Sequence, residues 1–206
     1  MATSTNLCEM CEQPGTQRCG GCKQVHYCST TCQKQSWKEH KILCKDVQNF
    51  SDEHRPPPNG SNSMFRRSIL FAPDEEAPRF VWVEFKKQDV SGELYELPVL
   101  EPFDIETKKS GLKYIQQNMR LQREFLHVIL MRYRDSFYND GSQRNEAVRK
   151  VITSGLRDKV QEWREPVLAT ALEEFDYAPG VPSRDLNTSD LRHIIDWFHS
   201  KPAYHG

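Results

Sequence analysis

The chain has 206 residues, 28 basic and 29 acidic side chains and a hydrophobic fraction of 37%, proportions that suit one modest domain plus a smaller unit better than two full cores. A formal charge of -1 offers no general attraction to phosphate backbones or anionic membranes, and 10% aromatic residues argue against a wholly disordered chain. No apolar run approaches the roughly 20 residues that span a bilayer, and the opening Met1-Ala2-Thr3-Ser4-Thr5-Asn6 has neither a charged leader nor an apolar core, so an intracellular protein, nuclear or cytoplasmic and without membrane attachment, is expected.

After a short tail at 1–7, all seven cysteines (Cys8, Cys11, Cys19, Cys22, Cys28, Cys32 and Cys44) fall within the first 44 residues. An odd number cannot pair completely, and a reducing compartment disfavours structural disulfides. Neither a disulfide cluster nor a redox CxxC accounts for His40. The spacing is Cys8-x2-Cys11, Cys19-x2-Cys22, Cys28-x3-Cys32 and His40-x3-Cys44, which makes eight potential ligands. Zinc takes four soft or borderline donors in a tetrahedron, so eight ligands mean two closed sites, and closed sites are structural because no position remains for water or substrate. A CxxC pair presents both sulfurs from one tight turn, while His40 and Cys44 at i, i+4 face the same way on a helix. Inside this frame only Val25, Tyr27, Trp37, Ile42 and Leu43 are sizeable apolar groups, too few for a core, so the metal must supply the folding energy, on the order of 10 kcal/mol or more per ion. Spacing alone leaves open whether the pairs share ions consecutively or alternately.

The run Val25-His26-Tyr27-Cys28-Ser29, with Cys32-Gln33, Trp37, His40-Lys41 and Cys44, resembles the MYND zinc finger, in which a tyrosine precedes the fifth ligand and a Gln and a Trp follow the sixth. A RING finger fits less well, because its histidine stands in the middle of the ligand order and its last pair is a CxxC. The resemblance covers 8–44 and implies a cross-brace: Cys8, Cys11, Cys28 and Cys32 on the first zinc, Cys19, Cys22, His40 and Cys44 on the second. It further implies a module that binds short proline-containing motifs in partner proteins, often transcriptional co-regulators, with Gln33 and Trp37 at the matching contact positions. Trp37 is equally open to a packing role. Charge favours a protein partner over nucleic acid. Residues 1–50 carry a surplus of two basic groups, and seven thiolates with two divalent ions bring the metallated segment to about -1, poor for phosphate binding.

Residues 45–68, through Pro56-Pro57-Pro58-Asn59-Gly60-Ser61, read as a flexible connector. The proline run reads first as a stiff spacer, and second as a ligand for a finger of this type. From 69 to 206 a single α+β domain is expected. Phe80–Phe85 reads as a half-buried strand and Leu94–Leu100 as another. Phe125–Tyr133 fits either a strand or the end of a helix beginning near Leu112, with a turn at Asn139–Ser142. Residues 145–154 read as a short helix that Gly155 would end in a left-handed cap. The last element is a helix capped by Ser189 with Leu191, Ile194, Ile195 and Phe198 on one face, docked on the sheet and stopped by Pro202.

No enzyme is legible in this second part. Some MYND fingers are inserted in SET-domain lysine methyltransferases, but the segments expected of that chemistry are missing from 69–206, as are GxSxG, P-loop and HExxH patterns. His193 with Asp190 or Asp196 reads as a solvated helix face rather than a dyad. The segments Arg132–Phe137 leading to Asp140-Gly141-Ser142, Trp163-Arg164-Glu165-Pro166-Val167 and Asp190–Phe198 resemble a C-terminal region of filamentous-fungal MYND proteins. An internal network of Arg132, Arg134 or Arg164 with Asp135 or Asp140 is expected there. The overall expectation is a zinc-dependent interaction or regulatory adaptor. An enzyme with an unrecognised C-terminal site and a zinc-dependent DNA-binding regulator are the alternatives.

Overall fold

The computed structural model describes residues 6–106, 109–134, 141–174 and 177–202. A two-stranded ribbon of β1 (Gln17–Arg18) and β2 (His26–Tyr27) leads into helix α1 (Thr30–Cys44). Ser29 begins the helix: its hydroxyl accepts from the backbone N–H of Cys32, satisfying one of the donors a helix N-terminus leaves open. This finger is followed by a separate β-rich domain.

That domain is built on one antiparallel sheet in the order β5-β4-β3-β8-β7-β6, with a short β9 also on β8. The strands are β3 (Ser63–Phe71), β4 (Arg79–Val90), β5 (Glu93–Pro98), β6 (Ser110–Asn118), β7 (Arg123–Arg134), β8 (Val167–Leu172) and β9 (Ser183–Arg184). Ser91 and Gly92 both take positive φ, 59° and 87°, which closes the β4–β5 hairpin between paired Val90 and Glu93 with the twist that suits it. β5 and β6 stand at opposite ends of the strand order, yet the Tyr177 ring lies 5.9 Å from Tyr95 of β5 and 6.4 Å from Tyr114 of β6. The sheet is therefore curled, and the 177–184 segment bridges its two ends, with Gly180 N–H donating to the Leu94 carbonyl at 2.8 Å and Ser183 Oγ to Glu96 at 2.6 Å.

The strands near Phe80 and Leu94 stand where the sequence puts them. The ambiguous stretch from Leu112 to Tyr133 is two paired strands, β6 and β7, and not a helix. Val128 to Met131 are all essentially inaccessible to solvent, so both faces of β7 are buried and the alternation that distinguishes strand from helix is erased. The connector also differs from its expectation. β3 begins at Ser63, inside the range 45–68, and short 3-10 turns occupy Asp46–Phe50 and Asp52–His54. Phe50 stacks on Phe80 and Trp82 at 5.7 and 5.6 Å, and the Arg67 guanidinium donates to the Phe50 carbonyl at 2.7 Å. The segment is docked rather than free.

Helix α2 (Glu146–Val151) is capped by Asn145 and ends at Ile152. Gly155 lies beyond it in a 3-10 turn without positive φ. The final helix, α3 (Thr188–His199), is capped by Asn187 and not Ser189: Asn187 Oδ1 accepts from the N–H groups of Ser189 and Asp190, while Asp190 accepts from the N–H of Asn187. This reciprocal box satisfies donors at both positions. Leu191, Ile194, Ile195 and Phe198 face the sheet as expected, with Phe71 edge-on to Phe198 at 5.3 Å. The opposite face is buried as well, because α3 lies between the sheet and α1. Asp190, His193 and Asp196 are consequently inside the protein, 2%, 5% and 2% exposed, which overturns the solvated-face reading. Asp135, Asp140 and the start of the Asn139–Ser142 turn lie outside the described residues. Arg164 pairs instead with Glu162 at 2.7 Å and donates to the Ser142 carbonyl.

Candidate metal centre

Two groups of four ligand atoms assemble in the finger, each with all atoms within 4.8 Å of one another: Cys8, Cys11, Cys28 and Cys32, and Cys19, Cys22, His40 and Cys44. The pairing alternates along the chain, the cross-brace. Local structure explains each corner. The Cys8 and Cys19 knuckles are turns, closed by Cys8 N–H on the Gln13 carbonyl and Lys23 N–H on the Cys19 carbonyl. Cys28 and Cys32 flank the capped start of α1, and His40 and Cys44 lie one turn apart at its end. At Gly21 a side chain would meet Cys44 Sγ at 3.0 Å, so glycine lets the second knuckle pass under the helix.

The spacing of these atoms suits zinc. Bonds of about 2.3 Å to sulfur and 2.0 Å to nitrogen in a tetrahedron place ligand atoms about 3.8 Å (S to S) and 3.5 Å (N to S) apart. The sulfurs of Cys11 and Cys28 are separated by 3.7 Å, those of Cys28 and Cys32 by 3.5 Å, and those of Cys19 and Cys44 by 3.7 Å. His40 Nε2 stands 3.3 Å from Cys19 Sγ and 3.5 Å from Cys22 Sγ. These gaps are far beyond a 2.05 Å disulfide, and all seven cysteines are free thiols. Charge points the same way: burial and the adjacent Cys22 push the Cys44 thiol up to about 12, a penalty that a divalent cation reverses. The residues fit two structural zinc ions, each with four protein ligands.

His40 is oriented by aromatic rings. Tyr27 meets its imidazole edge-on at 6.3 Å, and Trp37 lies against it at 6.0 Å. Trp37 thus packs the finger on one side while remaining 44% exposed on the other. Gln33 is half-buried on the same helix.

The sequence carried no sign of how the β-rich domain reaches this centre. Thr188 Oγ1 lies 3.4 Å from Cys22 Sγ, and Thr188 N–H donates to Gln24 Oε1 at 3.1 Å. Arg123 of β7 donates to the carbonyls of Cys8 and Cys11 at 2.9 and 3.1 Å. Ser189 Oγ donates to the buried Glu9 at 2.9 Å, and burial pushes that carboxyl up to about 8. Arg192 pairs with Glu39 of α1 at 3.2 Å. Contacts between residues more than 100 positions apart have no local signature, and only an alignment of co-varying positions carries such a signal.

The MYND finger family model matches residues 8–44. Human Tudor domain-containing protein 1 is 49% identical over 44 residues, 21% of this chain and 4% of that protein. The SET domain and MYND-type zinc finger protein 6 of Schizosaccharomyces pombe is 49% identical over 49 residues, 23% of this chain and 10% of that protein. Human N-lysine methyltransferase SMYD2 is 40% identical over 53 residues, 25% of this chain and 12% of that protein. The chain thus spans only 4 to 12% of the length of these curated relatives. No solved structure matches it. Among the described residues no helix is long and apolar enough to cross a membrane. Ligand order, alternating assembly and family match converge: residues 8–44 are a MYND-type finger with two zinc sites.

Proposed function

We propose that the protein is an intracellular interaction adaptor whose finger docks short proline-containing peptides across Gln33 and Trp37, in a regulatory setting that includes transcription. The observation that carries this reading is the division of labour around α1. Its Ser36, His40, Leu43 and Cys44 are turned inward, whereas Trp37 keeps nearly half its surface in solvent. An indole so placed offers a flat, rigid platform for a proline ring at little entropic cost. Beside it Lys34, Lys38, Lys41 and Lys45 are all exposed, at spacings that align them along one side of the helix. They favour acidic residues flanking the motif.

The lysine row also supports the second reading, a nucleic-acid partner, and the two differ in salt dependence: phosphate binding falls steeply with ionic strength. The similarity to a lysine methyltransferase concerns the finger, so its activity is not carried to this chain. The cavity of about 260 Å³ beside α2 gives an enzyme little support, since Arg144 there is paired with Glu162 at 2.6 Å and Arg149 with Glu146 at 3.1 Å.

The test is a pull-down comparing wild type with the double variant Gln33→Ala, Trp37→Ala, both shown to hold two zinc ions. Loss of the bound proteins at unchanged zinc content supports docking across Gln33 and Trp37. An identical set of partners sinks it.

A further inference from the structure

We infer that Thr188, the first residue of α3, is a positioning residue of the second zinc site, so that the β-rich domain sets how tightly the finger holds that ion. Thr188 is 2% exposed and Cys22 7%, and their Oγ1 and Sγ atoms are 3.4 Å apart. A zinc-bound cysteine is a thiolate and can only accept, so the hydroxyl donates. The site needs such a donor. Three thiolates and one neutral imidazole leave it one negative charge in excess around a divalent ion, in a buried setting where an uncompensated charge is costly. A hydrogen bond to sulfur draws charge off the thiolate, lowers its nucleophilicity and fixes its direction toward the metal.

The hydroxyl cannot drift from this place. Thr188 N–H is held by Gln24, two residues after Cys22, and Asn187 and Asp190 lock the helix start by their reciprocal hydrogen bonds. Asp190 is in turn gripped by Arg184 at 2.7 Å. The second site is therefore completed by an element 166 residues away in sequence from the cysteine it serves. Among the described residues the β-rich domain sends no hydroxyl to a sulfur of the first site: its contact there, through Arg123, goes to the carbonyls of Cys8 and Cys11.

The experiment uses the full chain in three forms, wild type, Thr188→Val and Thr188→Ser. Zinc is withdrawn by a competing chelator, and thiol alkylation followed by peptide mass assigns each released ion to its cysteines. Valine replaces the hydroxyl by a methyl group, and serine keeps the hydroxyl while losing the methyl. Expected is a loss of ~10- to 100-fold in affinity for the ion held by Cys19, Cys22, His40 and Cys44 in the valine variant alone, with faster alkylation of Cys22 and near-wild-type behaviour of the serine variant. Wild-type release from the valine variant overturns the inference. So does equal weakening of both ions, or a loss in the serine variant as large as in the valine variant, since each makes the effect one of general packing.

Discussion

Arg55 grips Asp185 with two hydrogen bonds, 3.0 and 2.6 Å long, and so ties the segment after the finger to the strand bridge before α3. The same guanidinium donates to the Phe65 carbonyl at 2.6 Å and lies over the Trp82 ring at 4.7 Å. Burial alone would raise the Asp185 carboxyl, but the bonds from Arg55 and from the N–H of Arg67 overcome this and hold it below the usual carboxylate range. Both partners keep about a quarter of their side-chain surface in solvent, which limits the effect. Arg55→Ala is expected to cost about 1–2 kcal/mol in denaturant unfolding and to open residues 51–62 to limited proteolysis at concentrations that leave wild type intact. An unchanged digestion pattern would show that the segment is held without this pair.

The fate of that segment shows what sequence can and cannot carry. Ligand chemistry is local: eight donors at fixed spacing announced two closed zinc sites, while the resemblance carried by Tyr27, Gln33 and Trp37 implied which pairs share an ion. Pro56 to Pro58 also announced a break in regular structure, and residues 56–62 lie in none. What composition did not reveal is that the flanking Phe50, Arg55 and Arg67 bind the sheet, because an aromatic or a guanidinium carries no mark of its distant partner. The same limit governs α3. Its apolar stripe predicted one buried face, and His193 with Asp190 or Asp196 on the others read as solvent-facing, yet these three and Arg192 are all buried. They are buried because the finger packs there, and the charged ones are paired: Arg192 with Glu39 of the finger at 3.2 Å, Asp190 with Arg184 at 2.7 Å, and Asp196 accepting from Arg192, Asn118 and Arg120 at 2.7, 2.9 and 2.7 Å. Charged residues enter interiors when they arrive with partners, and Asn118, Arg120 and Glu39 come from far away in the chain.

His193 gives this buried network a pH signature. Burial is the main cause that lowers its value to about 4. Asp190 and Asp196 pull it upward and Arg123 and His127 downward, none of them enough to offset the loss of water. Asn118 lies against Nδ1 at 3.0 Å. With the folded value below that of the unfolded chain, the contribution is complete above pH 6.5 and is lost as pH falls toward 4, where the unfolded state alone takes the proton. Between pH 7.5 and 5 the wild type should lose about 2 kcal/mol more than His193→Gln. Zinc ligands protonate in both proteins, so their effect cancels in the difference. Parallel pH curves for the two proteins would mean that His193 is charged within the fold.

Phe198 marks the centre of the shared core. It is fully buried, edge-on to Phe71 at 5.3 Å and to Trp163 at 5.4 Å, and it touches Trp197 at 5.4 Å. Truncation removes a large apolar area and leaves a hole among rigid rings that cannot collapse. Phe198→Ala should therefore cost about 3–5 kcal/mol, and Phe198→Leu distinctly less because most of the volume is kept. Equal losses for both variants in denaturant unfolding would show that ring contacts, rather than the void, set the cost.

Zinc removal should be felt well beyond the finger. One continuous apolar cluster runs from Val25, Tyr27 and Leu43 of the finger to Ile194, Ile195 and Phe198 of α3, and on the outer side of α3 the finger's Glu39 pairs with Arg192. A finger of this size cannot keep its shape once its metal energy is withdrawn. Its collapse takes away from Arg192 both Glu39, paired at 3.2 Å, and the Met10 sulfur, which accepts from the guanidinium at 3.1 Å, and leaves that guanidinium and Thr188 facing loosened chain. Hydrogen exchange measured before and after chelation should therefore show protection lost in 8–44 and also in Thr188–His199, while β4, which pairs with β3 and β5, keeps most of its own. If α3 stays as protected in chelator as in zinc, the domain's last helix is held by the sheet alone and the finger is an appendage to it.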